Sequence, residues 1–280
     1  MEYKIIDCDQ HVIEPPDLWE KYLPKKFQEQ APKLVQDEDG GDAWLLGEHV
    51  EALGLVAAMH QTPETLKWTG TRYADMHPGI TDPKGRLELM DEDGISAAVF
   101  FPPQRTMIHF MFQDDREFSL AAMQAYNNFV TDWVGFDRTR LGAIWQVPAT
   151  GIDDAVKELL RAKQNDAVGV GLATWPCGEF LLSEDDDAFW AVAEELAMPV
   201  HIHVGLTPPQ YKTRKISSKK GGPAQMVAFA TTMSRMPTLF AEFIFNEVFE
   251  RFPKLTIVGG EVGAGWVPFL KQELDDRYRR

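Results

Sequence analysis

Short apolar runs alternate along the chain with longer stretches whose apolar residues recur at helical spacing. The first run, Tyr3-Lys4-Ile5-Ile6-Asp7-Cys8-Asp9-Gln10-His11, reads as a strand that breaks at Glu14-Pro15-Pro16. Asp17 to Phe27 brings Leu18, Trp19, Tyr22, Leu23 and Phe27 onto one side of a short helix interrupted by Pro24. Thr81-Asp82-Pro83 supplies a cap with proline in the first turn, and Gly94 stops the helix that follows. Five further apolar runs, at 95–101, 141–147, 167–173, 199–204 and 255–261, predict strands. Helices are predicted over 114–136, 151–165, 185–197, 223–236, 238–252 and 266–280, and a polar, basic, Pro/Gly-rich loop over 205–222.

Strand and helix alternate, and the strands are apolar almost throughout, as strands covered by helices on both faces should be. An open doubly wound sheet and a (β/α)8 barrel both fit that order. No Gly-x-Gly-x-x-Gly follows the first strand and no Gly-x-x-x-x-Gly-Lys occurs, so dinucleotide and phosphate-loop readings lose their support. The expected fold class is therefore α/β, a TIM (β/α)8-type barrel in one domain over 1–280, with six of eight strands visible. Residues 28–82, polar but carrying Trp44, Trp68 and Tyr73, are expected to form an insertion or lid after strand 1. Ala43 to Leu46 and His49-Val50 suggest a small hairpin around Gly47 within it.

A barrel places its chemistry at the C-terminal ends of its strands, and the candidates sit there. Alternation puts Asp9 and His11 on one face of the first strand, with Cys8 turned the other way into a packed layer. His201 and His203 share a face of the fifth strand, His203 nearer its end. His201 reads equally well as a core histidine. The sixth strand closes on Gly259-Gly260-Glu261, where the glutamate is either a helix cap or a site residue. Carboxylate and imidazole donors with open positions suit a divalent metal: zinc first, with manganese or iron as alternatives.

Charge narrows the partners. The formal net charge of −15 argues against nucleic acid or an anionic membrane surface. No apolar run is long enough to span a bilayer, and Asp7 and Asp9 interrupt the only candidate signal segment. Two cysteines, Cys8 and Cys177, make no disulfide framework and point to a cytoplasmic protein with reduced thiols. Small-molecule substrates are the expected partners, with a homodimer open.

Four stretches together resemble the amidohydrolase-related metal-dependent hydrolases, in the branch that includes aminocarboxymuconate-semialdehyde decarboxylase-like and resorcylate decarboxylase-like enzymes. They are Ile6-Asp7-Cys8-Asp9-Gln10-His11 with Glu14-Pro15-Pro16-Asp17-Leu18-Trp19, Arg86 to Ile95, Pro199-Val200-His201-Ile202-His203, and Phe252 to Val258 with Glu261 to Trp266. The resemblance implies metal ligands at Asp9, His11 and His203. It places the family's catalytic histidine on Glu261, a departure, since glutamate can act as a base without doing the histidine's work. The family's last ligand, an aspartate after a later strand, has no match, which makes a C-terminally truncated frame the expectation. The implied function is a metal-dependent hydrolase or non-oxidative decarboxylase of a small, aromatic or unsaturated carboxylic acid or related carbonyl compound. Glu261 and His201 are the catalytic candidates, and Arg72 and Arg105 the candidates for pairing a substrate carboxylate. The rival expectation is a truncated, non-catalytic barrel serving as a metal-binding or interaction module.

Overall fold

The computed structural model describes residues 4–54, 56–59, 61–111, 113–179, 181–206 and 235–280, the side chains of Gln104 and Arg105 excepted. Residues 207–234, which hold most of the loop expected over 205–222 and of the helix expected over 223–236, lie outside the described residues. Two compact units are present. Among the described residues the first takes everything up to Gln146 and the second everything from Val147.

Unit 1 opens with β1 (Ile5–His11) and the short helix α1 (Leu18–Tyr22). Pro24 ends α1, and a 3-10 turn over Lys25–Phe27 follows. The insertion then builds three antiparallel strands, β2 (Lys33–Gln36), β3 (Asp42–Leu46) and β4 (His49–Ala52), one more than the hairpin expected. The helix α2 (Pro83–Glu92) starts as predicted, the Asp82 carboxylate accepting from Gly85 N. It leads into β5 (Ile95–Phe101), two helices, α3 (Gln104–Met111) and α4 (Arg116–Val134), and β6 (Leu141–Gln146). β1, β5 and β6 pair in that order, parallel throughout. The apolar stripe of α4, including Phe118, Ala122, Tyr126, Phe129 and Trp133, is buried, and Phe100 meets Trp133 edge to face at 4.9 Å.

β1 departs from simple alternation. Asp7 pairs with Ala98 and Gln10 with Phe100, so Cys8 and Asp9 together stand opposite Val99. This is a one-residue bulge, which breaks the period-2 count. It corrects the expectation for Cys8: the thiol is exposed, not packed. β1 pairs along one edge only among the described residues, and Ile5 and Ile6 are likewise exposed.

Unit 2 runs α5 (Ile152–Gln164), β7 (Gly169–Leu172), α6 (Asp187–Glu195), β8 (Val200–His203), α7 (Met236–Phe245), α8 (Val248–Arg251), β9 (Ile257–Gly260) and α9 (Val267–Tyr278). β7, β8 and β9 are parallel neighbours, with His201 opposite Val258 and His203 opposite Gly260. An aromatic core forms where Phe243 of α7 meets Trp175 at 5.3 Å and Trp190 at 5.5 Å. The fully buried Asp186 accepts from Cys177 N and Ser183 N, while burial holds its carboxyl above the usual carboxylate range. All six strands predicted from the apolar runs are present, three in each unit.

Candidate metal centre and its surroundings

Two pairs of predicted site residues are brought together, one in each unit. In unit 1, His11 Nε2 stands 3.7 Å from Asp9 Oδ1. The other ring nitrogen, Nδ1, lies 3.3 Å from the carbonyl oxygen of Pro102. A carbonyl can only accept, so in a neutral ring this contact places the proton on Nδ1 and the lone pair on Nε2. An outer hydrogen bond of this kind is what orients a metal-ligating histidine. The arrangement therefore fits a divalent metal on the Asp9 carboxylate and His11 Nε2.

The segment after the bulge is gripped by side-chain donors, Arg86 and Tyr126 buried and Tyr73 half-buried. Arg86 of α2, 4% exposed, donates through Nη2 to His11 O at 3.1 Å and through Nη1 to Gln10 Oε1 at 2.8 Å. Tyr126 OH donates to Val12 O at 2.7 Å, and Tyr73 OH to Glu14 O at 2.6 Å. Gln10 Nε2 in turn donates to Asp7 Oδ2 at 2.8 Å, while Asp9 N donates to Asp7 Oδ1 at 3.0 Å. Burial lowers the Arg86 guanidinium to about 10, with Asp7 opposing, so it stays cationic at neutral pH.

A cleft of about 350 Å³ opens beside this segment within unit 1. Asp9, Gln10 and His11 line it together with Val56 and Met59 of the insertion. The insertion is anchored by Ile13, Ala57 and Ile80, against which Met59, Tyr73 and Met76 pack. Trp44 is buried and donates from Nε1 to Tyr73 OH at 3.1 Å. These aromatics form the insertion's own core.

Behind Tyr73, Glu14 is 2% exposed and its Oε1 finds no hydrogen-bond partner among the described residues. Burial pushes its carboxyl up to about 7, a hydrogen bond with Thr106 opposing and the charge of Glu51 adding. Glu51 lies 2.9 Å from His49 Nε2. Burial, with His49 nearby, brings His109 down to about 4.

In unit 2, His203 is buried at the end of β8, with Nε2 3.7 Å from Glu261 Oε2. His201 sits two residues earlier, half-buried. Both strands leave this end through left-handed backbone: Val204 has φ 62° and Glu261 has φ 50°. The turn after β9 folds back on itself, and a Cβ at Gly259 would come within 2.7 Å of Val262 Cγ2, so a larger residue there would have to displace the Val262 side chain. Glu261 caps no helix: α9 begins at Val267 with Trp266 as its cap.

The two arginines stand differently. Arg72 is exposed and donates from Nε to Gly40 O at 3.0 Å, tying together two loops of the insertion. Arg105 belongs to α3, and its side chain lies outside the described residues. The sequence pattern missed Arg86 and Glu14 as individuals. Their positions inside the motifs Glu14 to Trp19 and Arg86 to Ile95 were the available signal.

The sequence profile of the amidohydrolase family matches residues 6–279. The chain belongs to the amidohydrolase family. Its fold is accordingly the α/β, TIM-barrel type expected from the strand order, and it is an enzyme of the hydrolase/lyase kind in a metal-dependent family. Comparison with curated proteins gives no match. Among solved structures, this amidohydrolase is similar to an amidohydrolase from Mycobacterium avium subsp. paratuberculosis, with TM-score 0.75 and 24% identity over 100% of this chain and 77% of that one. It is similar to the 2,6-dihydroxybenzoate decarboxylase of Rhizobium, with TM-score 0.58 and 16% identity over 98% of this chain and 70% of that one. It is also similar to the 5-carboxyvanillate decarboxylase of Novosphingobium aromaticivorans, described in complex with manganese, with TM-score 0.61 and 15% identity over 99% of this chain and 72% of that one. At these identities the likenesses speak to the fold. No helix among the described residues is long and apolar enough to cross a membrane.

Proposed function

We propose that this amidohydrolase is a metal-dependent non-oxidative decarboxylase of a small aromatic or unsaturated carboxylic acid, with hydrolysis of a related carbonyl compound as the other chemistry open to its family. The observation that carries the reading is His11, whose Nδ1 is committed to Pro102 O and whose Nε2 faces the Asp9 carboxylate. Support for the substrate class comes from the structural neighbours, two of which are decarboxylases of hydroxylated aromatic acids by name.

Asp9, His11 and His203 would hold the metal, and the donor set of carboxylate oxygen and imidazole nitrogen suits zinc, manganese or iron. When bound, the ion supplies a Lewis acid that anchors a substrate carboxylate and an adjacent oxygen. The rest falls to the chain. Decarboxylation needs one proton delivered to the carbon that loses CO₂, so that the C–C bond breaks as a C–H bond forms. Glu261, exposed and 3.7 Å from His203 Nε2, is the group proposed to carry that proton on Oε2. His201, two residues before His203, is the other candidate for proton handling. Arg72 and Arg105 are proposed to meet the substrate's charge. Val56 and Met59 give the unit 1 cleft an apolar wall against which a planar ring can lie. A cytoplasmic setting agrees with the two free cysteines, one of them exposed.

The test is metal content of the purified protein, of His11→Ala and of His203→Ala, joined to CO₂ release from a panel of hydroxylated benzoates. Loss of stoichiometric metal in both variants and metal-dependent CO₂ release are expected. Full metal retention in both variants would remove the ligand assignment, and ester or lactone cleavage without CO₂ release would replace decarboxylation by hydrolysis.

A further inference from the structure

Arg86 touches neither Asp9 nor the His11 ring, yet it is joined to both. Its guanidinium lies inside unit 1, 5.0 Å from the Phe100 ring centroid and 5.8 Å from that of Trp133. The three nitrogens are each committed: Nε to Gly79 O at 2.6 Å, Nη1 to Gln10 Oε1 at 2.8 Å, Nη2 to His11 O at 3.1 Å. The first contact is the anchor. Gly79 packs so closely on α2 that a Cβ there would come within 2.6 Å of Leu89 Cδ1. The other two contacts reach the segment that follows the β1 bulge. From Gln10 the chain of bonds continues to Asp7, whose second oxygen accepts from Asp9 N. A bulge has lost part of its ladder pairing, so side chains must hold what the neighbouring strand does not.

Resting on the metal reading above, we infer that Arg86 is a positioning residue for the divalent-metal site: its fork onto Gln10 and His11 fixes the bulged end of β1 and so sets the spacing of the Asp9 and His11 donors. Lysine cannot replace it, because a single ammonium does not present the planar fork that meets three acceptors from one side. Arg140 offers an internal comparison. It too forks onto strand carbonyls, Nε to Ser96 O at 3.0 Å and Nη2 to Ile95 O at 2.9 Å, but at the opposite end of β5 from the site. It braces the fold of the same unit without touching the ligand segment.

The experiment measures the affinity of the metal-stripped protein for Zn²⁺ and for Mn²⁺ by chelator competition, beside the thermal midpoint of the same metal-free samples. Wild type, Arg86→Lys, Gln10→Met, Arg140→Lys and His11→Ala are compared. Arg86→Lys is expected to weaken metal binding by about 10–100-fold, the range for residues that orient ligands from outside the coordination shell. Gln10→Met, which cuts the link to Asp7 but leaves Arg86 on His11 O, is expected to weaken it less and supplies the answer should Arg86→Lys not fold. Arg140→Lys is expected to lower the midpoint with the affinity unchanged. Wild-type affinity in folded Arg86→Lys, or in Gln10→Met where Arg86→Lys does not fold, overturns the inference if His11→Ala has lost its metal. An equal loss of affinity in Arg140→Lys also overturns it, because the effect would then be general loosening. Full binding by His11→Ala overturns the ligand assignment and this inference with it.

Discussion

The two units present their site residues by opposite means. In unit 1 the ligand-bearing segment is irregular in register but braced, with the carbonyls of His11, Val12 and Glu14 accepting from the buried Arg86 and Tyr126 and the half-buried Tyr73. In unit 2 the strands are regular up to His203 and Gly260, and the irregularity lies in the exits, where Val204 and Glu261 adopt left-handed backbone. Side-chain bracing concentrates stability at the site. Left-handed exits store strain there, about 1–2 kcal/mol for each residue with a Cβ. The same task, aiming donors at the end of a strand, is thus stabilising in one unit and costly in the other.

The largest effect expected is from Arg86→Met, which leaves the buried Gly79 O and the half-buried Gln10 Oε1 and His11 O without their donor. Removing one partner of a buried charged network costs about 3–5 kcal/mol. Denaturant unfolding of the metal-free protein reads it, and a loss below 1 kcal/mol would reduce the bracing to the rank of a surface contact.

Next comes the pH dependence of unit 1. The Glu14 carboxyl is raised from 4.5 to about 7, so its contribution is complete below 4.5 and is lost as pH rises through 7. His109 is lowered from 6.5 to about 4, so its contribution is complete above 6.5 and is lost as pH falls through 4. Over the shared window the two slopes oppose. Glu14→Gln is expected to gain on the order of 3 kcal/mol over wild type above pH 7. It should also leave the His109 slope unopposed, with stability falling steadily as acid is added. Unfolding free energies measured across that range decide it; parallel curves for the two proteins would show that Glu14 is not held neutral.

Val204→Gly is expected to change stability in the opposite direction from Arg86→Met. It relieves the left-handed strain but adds the unfolded-state freedom of glycine, for a net gain of about 0.5–1 kcal/mol. A loss of stability would mean that Val204 packing outweighs the strain. The smallest effect should come from Arg251→Ala in unit 2. Arg251 forks onto Asp187 at 2.7 and 2.9 Å but is part-exposed, so removal should cost at most about 1 kcal/mol. Comparison with Arg86→Met in the same assay separates burial from fork geometry as the source of the difference.

What the sequence could show follows from the same contrast. Strands β5 to β9 are apolar runs closed by Pro, Gly or a polar residue, and periodicity finds them. β2 escaped because Lys33-Leu34-Val35-Gln36 is a short polar-edged segment whose pairing depends on β3 rather than on its own pattern. Helix α3 escaped because it starts directly after Pro102-Pro103, where a loop is the ordinary expectation. The left-handed exits were half legible, since Gly259-Gly260 announced unusual backbone but not which residue would adopt it. Cys8 was misplaced because counting by twos cannot see a bulge. Arg86 looked like one more charge on a helix, and only the bonds to Gln10 and His11 O reveal that it belongs to the strand.

The Pro102 carbonyl that receives His11 Nδ1 carries a further consequence. Pro102 is followed by Pro103, and a proline ring sterically confines the residue before it to extended backbone. The local backbone that carries that carbonyl is therefore narrowed by covalent stereochemistry before any packing acts on it. A steric rule operating 91 residues down the chain thus helps to aim the acceptor that faces one nitrogen of the His11 imidazole.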